Sequence, residues 1–151
     1  MATGTRNRKS PVKRVRPTKS SPYTVFISHS SLDKWIAERM AEKVSEIGAQ
    51  YWLDVRDLVG GGNIREEIHK GVRESHELIV LFSPNSIDSH WVSFEIGAAT
   101  VKKRHLTPIL NNVNYKDVQL IQGMKAIDLN SFGQYLTELK KRIKKWSERK
   151  K

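Results

Sequence analysis

Residues 77–82 read Glu-Leu-Ile-Val-Leu-Phe and are closed by Ser83-Pro84-Asn85. A strand with one wet face alternates polar and apolar residues. A run without alternation is buried on both faces, as strands of a parallel sheet are. This run therefore demands covering layers above and below it. The flanking sequence supplies them. Tyr23–Ser28 is a short apolar strand, and Leu32–Ile47 is a helix with Trp35, Ile36, Met40, Val44 and Ile47 on one stripe. Gly48 ends that helix, and Gln50–Asp54 is a second strand. A loop, Val55–Gly62, follows. Asn63 with Glu66 resembles a capping box opening a helix over Ile64–Glu74. After Phe82, Ser86 or Ser89 caps a helix reaching about Lys103. His105–Leu110 and Lys125–Leu129 are further strands. Ser131–Trp146 is a closing helix with Phe132, Tyr135, Leu136, Leu139, Ile143 and Trp146 at helical spacing.

Alternating strands and helices specify the α/β class with a mostly parallel sheet. Five strands in this span fit the flavodoxin-like arrangement, a five-stranded parallel sheet with helices on both faces. At 151 residues the chain is expected to be one domain with appendages. Residues 1–22 are a disordered basic tail, 23–147 the domain, and 148–151 a basic C-terminal end. The net charge of +11 usually points at nucleic acid or an anionic surface. Its distribution narrows that. Residues 1–22 hold seven bases and no acid, and residues 140–151 hold eight bases and one acid. Each end carries +7 and the stretch between them −3. Nucleic acid is thereby confined to weak contacts through the tails. The absence of cysteine excludes disulfides, Cys-ligated zinc and a thiol nucleophile, and suits a cytoplasmic protein. No apolar run approaches the length of a membrane span.

Ligands in such sheets bind beyond the carboxyl ends of the strands, at the switch point. Three segments qualify: Ser28–Ser31, Asp54–Asn63 and Ser83–Glu95. In the third, Trp91 and Glu95 are four residues apart and share a helix face, ~6 Å from each other. A carboxylate beside an indole in a semi-buried cleft can stabilise a developing cation; a solvated Glu on a wet stripe is the other reading. Gly60-Gly61-Gly62 leads into a helix N-terminus, which can hold phosphate, yet no P-loop or G-x-G-x-x-G pattern is present. A connecting loop explains these glycines as well. The five histidines show no ligand-like pairing and no metal site is expected; His29, at the end of the first strand, is placed to touch ligand. Asp54 either anchors the loop that follows it or touches a ribose.

Taken together, these segments resemble the Toll/interleukin-1 receptor (TIR) domain family. Phe26-Ile27-Ser28-His29-Ser30 is similar to its first motif. Trp52-Leu53-Asp54-Val55-Arg56-Asp57-Leu58 with the glycines is similar to its second strand and long following loop. Leu81-Phe82-Ser83-Pro84-Asn85-Ser86 is similar to its third-strand motif. Ser89-His90-Trp91-Val92-Ser93-Phe94-Glu95 is similar to the Trp-x-x-x-Glu helix of members that cleave NAD⁺. The resemblance implies that Glu95 is the catalytic carboxylate and Trp91 shapes its pocket. It implies that Phe26, His29 and Ser30 line a nucleotide cleft. It also implies that the loop carrying Asp57, Gly60, Gly61 and Asn63 gates the cleft or contacts a neighbouring protomer. Ser30 stands where many relatives carry Arg, and three glycines stand where one is usual. The implied activity is NAD⁺ hydrolysis or cyclisation, with NAD⁺ as substrate and no cofactor. The implied partners are other TIR domains and a separate sensor or effector, as in Thoeris-type anti-phage systems. A non-catalytic TIR interaction module and a nucleoside deoxyribosyltransferase-like enzyme are the alternatives.

Overall fold

The computed structural model describes residues 23–55, 70–86 and 103–149. Strand β1 is Thr24–His29, helix α1 Lys34–Glu46, β2 Gln50–Val55, β3 Glu77–Phe82, β4 His105–Leu110 and β5 Ile127–Asp128; helix α2 is Phe132–Arg149. Residues 70–74 are also helical. The five strands lie in the order β2-β1-β3-β4-β5, and every pairing is parallel. From β1 the chain moves outward to β2, then crosses back to β3 on the other side of β1. That reversal makes the β1/β3 boundary the switch point, as the flavodoxin-like reading requires.

Strand β3 is the central plank. All six of its side chains are buried. Ile79 and Leu81 join a core with Val25 and Ile27 of β1, Met40 and Val44 of α1, and Tyr135 and Leu139 of α2. Val80 and Phe82 face the other way, into a second core with Leu110, Val118 and Ile121. One unbroken apolar run thus feeds both faces of the sheet. Each such side chain contributes roughly 1.5–3 kcal/mol on burial.

Three local expectations need correction. The first helix begins at Lys34, not Leu32, because Ser31–Asp33 form a single 3₁₀ turn in which the Ser30 hydroxyl accepts the Leu32 N–H at 3.3 Å. With that start, Ala37, Met40, Ala41 and Val44 face inward. Trp35 instead stands 69% exposed, with the Arg39 guanidinium 5.4 Å above its ring. Small alanines bring α1 close to the sheet and leave no room for an indole. Second, β5 is only Ile127–Asp128, since the Asp128 carboxylate accepts the Asn130 N–H at 2.8 Å and turns the chain toward α2. Third, α2 continues past Trp146 to Arg149. Gly48, at φ +94°, ends α1 in the left-handed region, as its position implied. Most of the helix expected over 64–74, and the one expected to reach Lys103, lie outside the described residues.

Candidate active site

The carboxyl end of β1 lies between its two neighbours. Ser28 pairs with Asp54 of β2 and with Val80 of β3. His29, the last residue of β1, is buried. Its Nδ1 lies 2.7 Å from the Ser30 carbonyl oxygen. A carbonyl can only accept, so Nδ1 carries the hydrogen there. Ser30 is half-buried and caps the 3₁₀ turn; its carbonyl oxygen accepts the Asp33 N–H at 2.9 Å.

Asp33 joins this turn to the end of β3. Its carboxylate is buried and accepts the Ser83 hydroxyl at 2.5 Å and the Asn85 side-chain amide at 3.0 Å. Ser83 Oγ in turn accepts the Asn85 N–H at 3.1 Å. Ser86 Oγ accepts the Ser83 N–H and donates to the Leu81 carbonyl, both at 3.0 Å. The Ser83–Ser86 turn is thereby fixed across the switch point to the loop after β1. Nothing in the local sequence pattern singles out Asp33. The clue is indirect: the buried Ser83 hydroxyl at the end of β3 needs an acceptor, and Asp33 closes the Ser30-x-x-Asp33 turn one strand away.

Phe26 is wholly buried. Its ring lies beneath Gly71 of the helical turn 70–74 and 6.3 Å from Trp52. Phe26 and His29 thus lie on β1 and Ser30 on its exit loop, with the Phe26 and His29 side chains on opposite faces of the sheet. Asp57, Gly60, Gly61, Asn63, Trp91 and Glu95 lie outside the described residues. Among the described residues, no group of three His, Cys, Asp or Glu is arranged to hold a metal. A polar hollow of about 220 Å³, lined by Asn111, Asn112, Asn114, Asp128 and Asn130, lies farther along the same edge of the sheet.

Among the described residues the most strongly perturbed ionisable groups are elsewhere. Glu77, fully buried at the amino end of β3, accepts two hydrogen bonds from Arg142, at 2.7 and 2.9 Å, and one each from the Tyr23 and Tyr135 hydroxyls. Burial, then the Glu77 charge, push both phenols well above their usual range. Burial opposes the Arg142 charge, but the Glu77 hydrogen bonds and charge outweigh it and hold the guanidinium protonated more firmly. Perturbed groups often mark active sites. Here they sit at the amino ends of the strands, the wrong edge for this fold, and every carboxylate oxygen is paired. The cluster is a bolt between sheet and α2.

Comparison with known proteins agrees with this frame. The TIR domain family matches residues 25–143. The NAD(+) hydrolase TirS of Staphylococcus aureus is 33% identical over 103 residues, 64% of this chain and 37% of that protein. The probable 2' cyclic ADP-D-ribose synthase TcpO of Methanobrevibacter olleyae is 29% identical over 105 residues, 67% of this chain and 31% of that protein. Human Toll-like receptor 1 is 28% identical over 95 residues, 62% of this chain and 12% of the receptor. The chain thus spans about a third of the length of the first two. In fold it is similar to the TIR domain of the Toll-related receptor TRR-2 from Hydra magnipapillata, with a TM-score of 0.57 and 20% identity over 80% of this chain and 97% of that one.

Proposed function

This chain belongs to the TIR domain family, and from that premise we propose that it cleaves the nicotinamide–ribose bond of NAD⁺, giving ADP-ribose or a cyclic isomer. The observation that carries the reading is the sequence Trp91-Val92-Ser93-Phe94-Glu95, which starts five residues after the Ser83–Ser86 turn pinned by Asp33. Relatives named as an NAD(+) hydrolase and, in Acinetobacter baumannii, as a 2' cyclic ADP-D-ribose synthase support it.

One carboxylate suffices for this chemistry. Glycosidases need two because an alkoxide-like leaving group must be protonated. Nicotinamide leaves a pyridinium ribosyl centre as a neutral base, so no general acid is required. The ribosyl carbon becomes oxocarbenium-like, and the Glu95 anion stabilises the developing charge. Trp91 shapes the pocket, and His29 and Ser30 border it. Water attack gives ADP-ribose; attack by a nucleophile of the same molecule gives a cyclic product. The cyclic product would serve as a signal read by a separate effector, and anti-phage signalling in the cytoplasm is the role this reading favours. The TIR loop carrying Asp57, Gly60, Gly61 and Asn63 would complete the site in a self-assembled state.

Incubation with NAD⁺ and chromatography of the products tests the reading. Nicotinamide should appear together with ADP-ribose or a cyclic isomer, and Glu95→Ala should lower its release at least ~10²-fold, the scale of losing a preorganised electrostatic stabiliser. Release untouched by the substitution would remove Glu95 from the mechanism. The second reading is a non-catalytic TIR–TIR module, favoured by the similarity to Toll-like receptor 1. Complete absence of turnover at concentrations where the protein self-associates would select it.

A further inference from the structure

The last turns of helix α2 present a basic face at one pole of the molecule. Helix α2 docks its apolar side, with Phe132, Tyr135 and Leu139 buried and Trp146 packed against them. Lys140, Lys141, Lys144 and Lys145 lie on the opposite side and are exposed. They form two rows, 140–144 and 141–145, each spaced ~6 Å along the helix axis. Arg149 extends this end, and Glu148 is the only acid beyond Glu138. Among the described residues none of the four lysines is in an ion pair; Glu138 is held by Lys125 at 2.7 Å and Glu77 by Arg142. The Trp146 ring meets Tyr23 edge-on at 5.9 Å. Tyr23 is the residue at which 1–22, with seven bases and no acid, joins the fold. Tyr23 and the end of α2 thus lie side by side at the amino ends of the strands, away from the candidate cleft.

We infer that this pole is a sequence-independent binding face for duplex nucleic acid, with Lys140, Lys141, Lys144 and Lys145 as its phosphate contacts. Each lysine row is about as long as two phosphate steps, which advance ~3.4 Å per strand along the duplex axis. A membrane surface fits less well. Helices that lie in the lipid interface need a free apolar face, and the apolar face of α2 is occupied by the sheet. The inference is independent of NAD⁺ cleavage, because the pole and the cleft lie at opposite ends of the strands.

Binding of the full chain to a short random-sequence DNA duplex, followed by anisotropy between about 50 and 200 mM salt, tests it. The affinity should fall steeply with salt and be similar for unrelated sequences. The quadruple variant Lys140→Gln, Lys141→Gln, Lys144→Gln, Lys145→Gln should flatten the log–log salt slope by about 3–4 and weaken binding at least about tenfold at the lower salt. Its melting temperature should match the parent, which separates a lost contact from a lost fold. A second variant replaces the seven bases of residues 1–22 by Gln. If it alone abolishes binding while the quadruple variant retains the full slope, the helix face is not the site. Equal or tighter binding to phosphatidylserine vesicles at the same salt would overturn the assignment to nucleic acid, and so would no duplex binding at the lowest salt.

Discussion

Asp33 accepts from both Ser83 and Asn85, so one buried carboxylate fixes two of the loops that border the switch point. Asp33→Ala leaves a buried hydroxyl and a partly buried amide without their acceptor. That should cost about 2 kcal/mol of stability. It should also loosen the turn that leads to Trp91 and Glu95, and an ångström of misplacement costs up to ~10²-fold in rate. Thermal melts, with nicotinamide release measured well below the midpoint, separate the two effects; full turnover in a destabilised variant would limit Asp33 to a structural role. Glu77 poses the opposite case. Arg142→Met leaves a fully buried carboxylate without its counter-charge and should destabilise by about 3–5 kcal/mol. Adding Glu77→Leu should restore much of that, since apolar replacement of a buried pair is often neutral. The same cluster governs behaviour in alkali. Tyr23 and Tyr135 have pKa values raised by burial and by Glu77, so the folded state keeps protons that the unfolded state releases above pH ~10. Stability is therefore fully present below that pH and lost as pH rises toward the folded values. In a phenolate absorbance titration, these two of the four tyrosines should ionise only as the fold is lost.

At the scale of elements, the contact between residues 70–74 and β1 is set by a missing side chain. A Cβ on Gly71 would lie 2.4 Å from Phe26 Cε2 and 2.7 Å from Cδ2. Replacing a helical glycine by alanine ordinarily gains roughly 0.5–1 kcal/mol. Here the Phe26 ring is fully buried and cannot swing clear, and overpacking of this kind costs about 1–3 kcal/mol. The clash wins, so Gly71→Ala should lower the melting temperature. Gly133→Ala, with nothing within 4 Å of the added carbon, should raise it slightly. The same contrast explains what the sequence made legible. Strands β3 and β4 have the bounds expected from their apolar runs, because both faces of a parallel sheet impose one simple pattern. The start of α1 was misplaced because a serine-capped 3₁₀ turn and a helical first turn look alike in periodicity. The choice of the carboxyl edge of the sheet for the candidate site follows from topology alone. The Asp33–Ser83 link did not, since fifty residues separate its ends and no local spacing announces it. Glu77 opens the apolar run of β3 with no local partner in the sequence; only the long-range arrival of Tyr23, Tyr135 and Arg142 turns it into a bolt.

For the molecule as a whole, charge and assembly oppose each other. A net charge of +11 makes copies of the chain repel at low ionic strength. If the NAD⁺ site is completed between protomers, that repulsion is a brake on catalysis. Salt screens exposed charges over a Debye length of ~10 Å at 0.1 M. Turnover per molecule should therefore rise with protein concentration, and at fixed concentration rise with moderate salt. Duplex binding at the basic pole should weaken over the same salt range. The opposite salt trends distinguish the two ends of the molecule. Nucleic acid at low salt should relieve the repulsion and gather protomers, so a short duplex should stimulate NAD⁺ cleavage there and lose its effect as salt increases. Nicotinamide release across a concentration series, with sedimentation under the same conditions, checks this. Turnover per molecule that is constant down to concentrations where only monomer sediments would show that each chain carries a complete site.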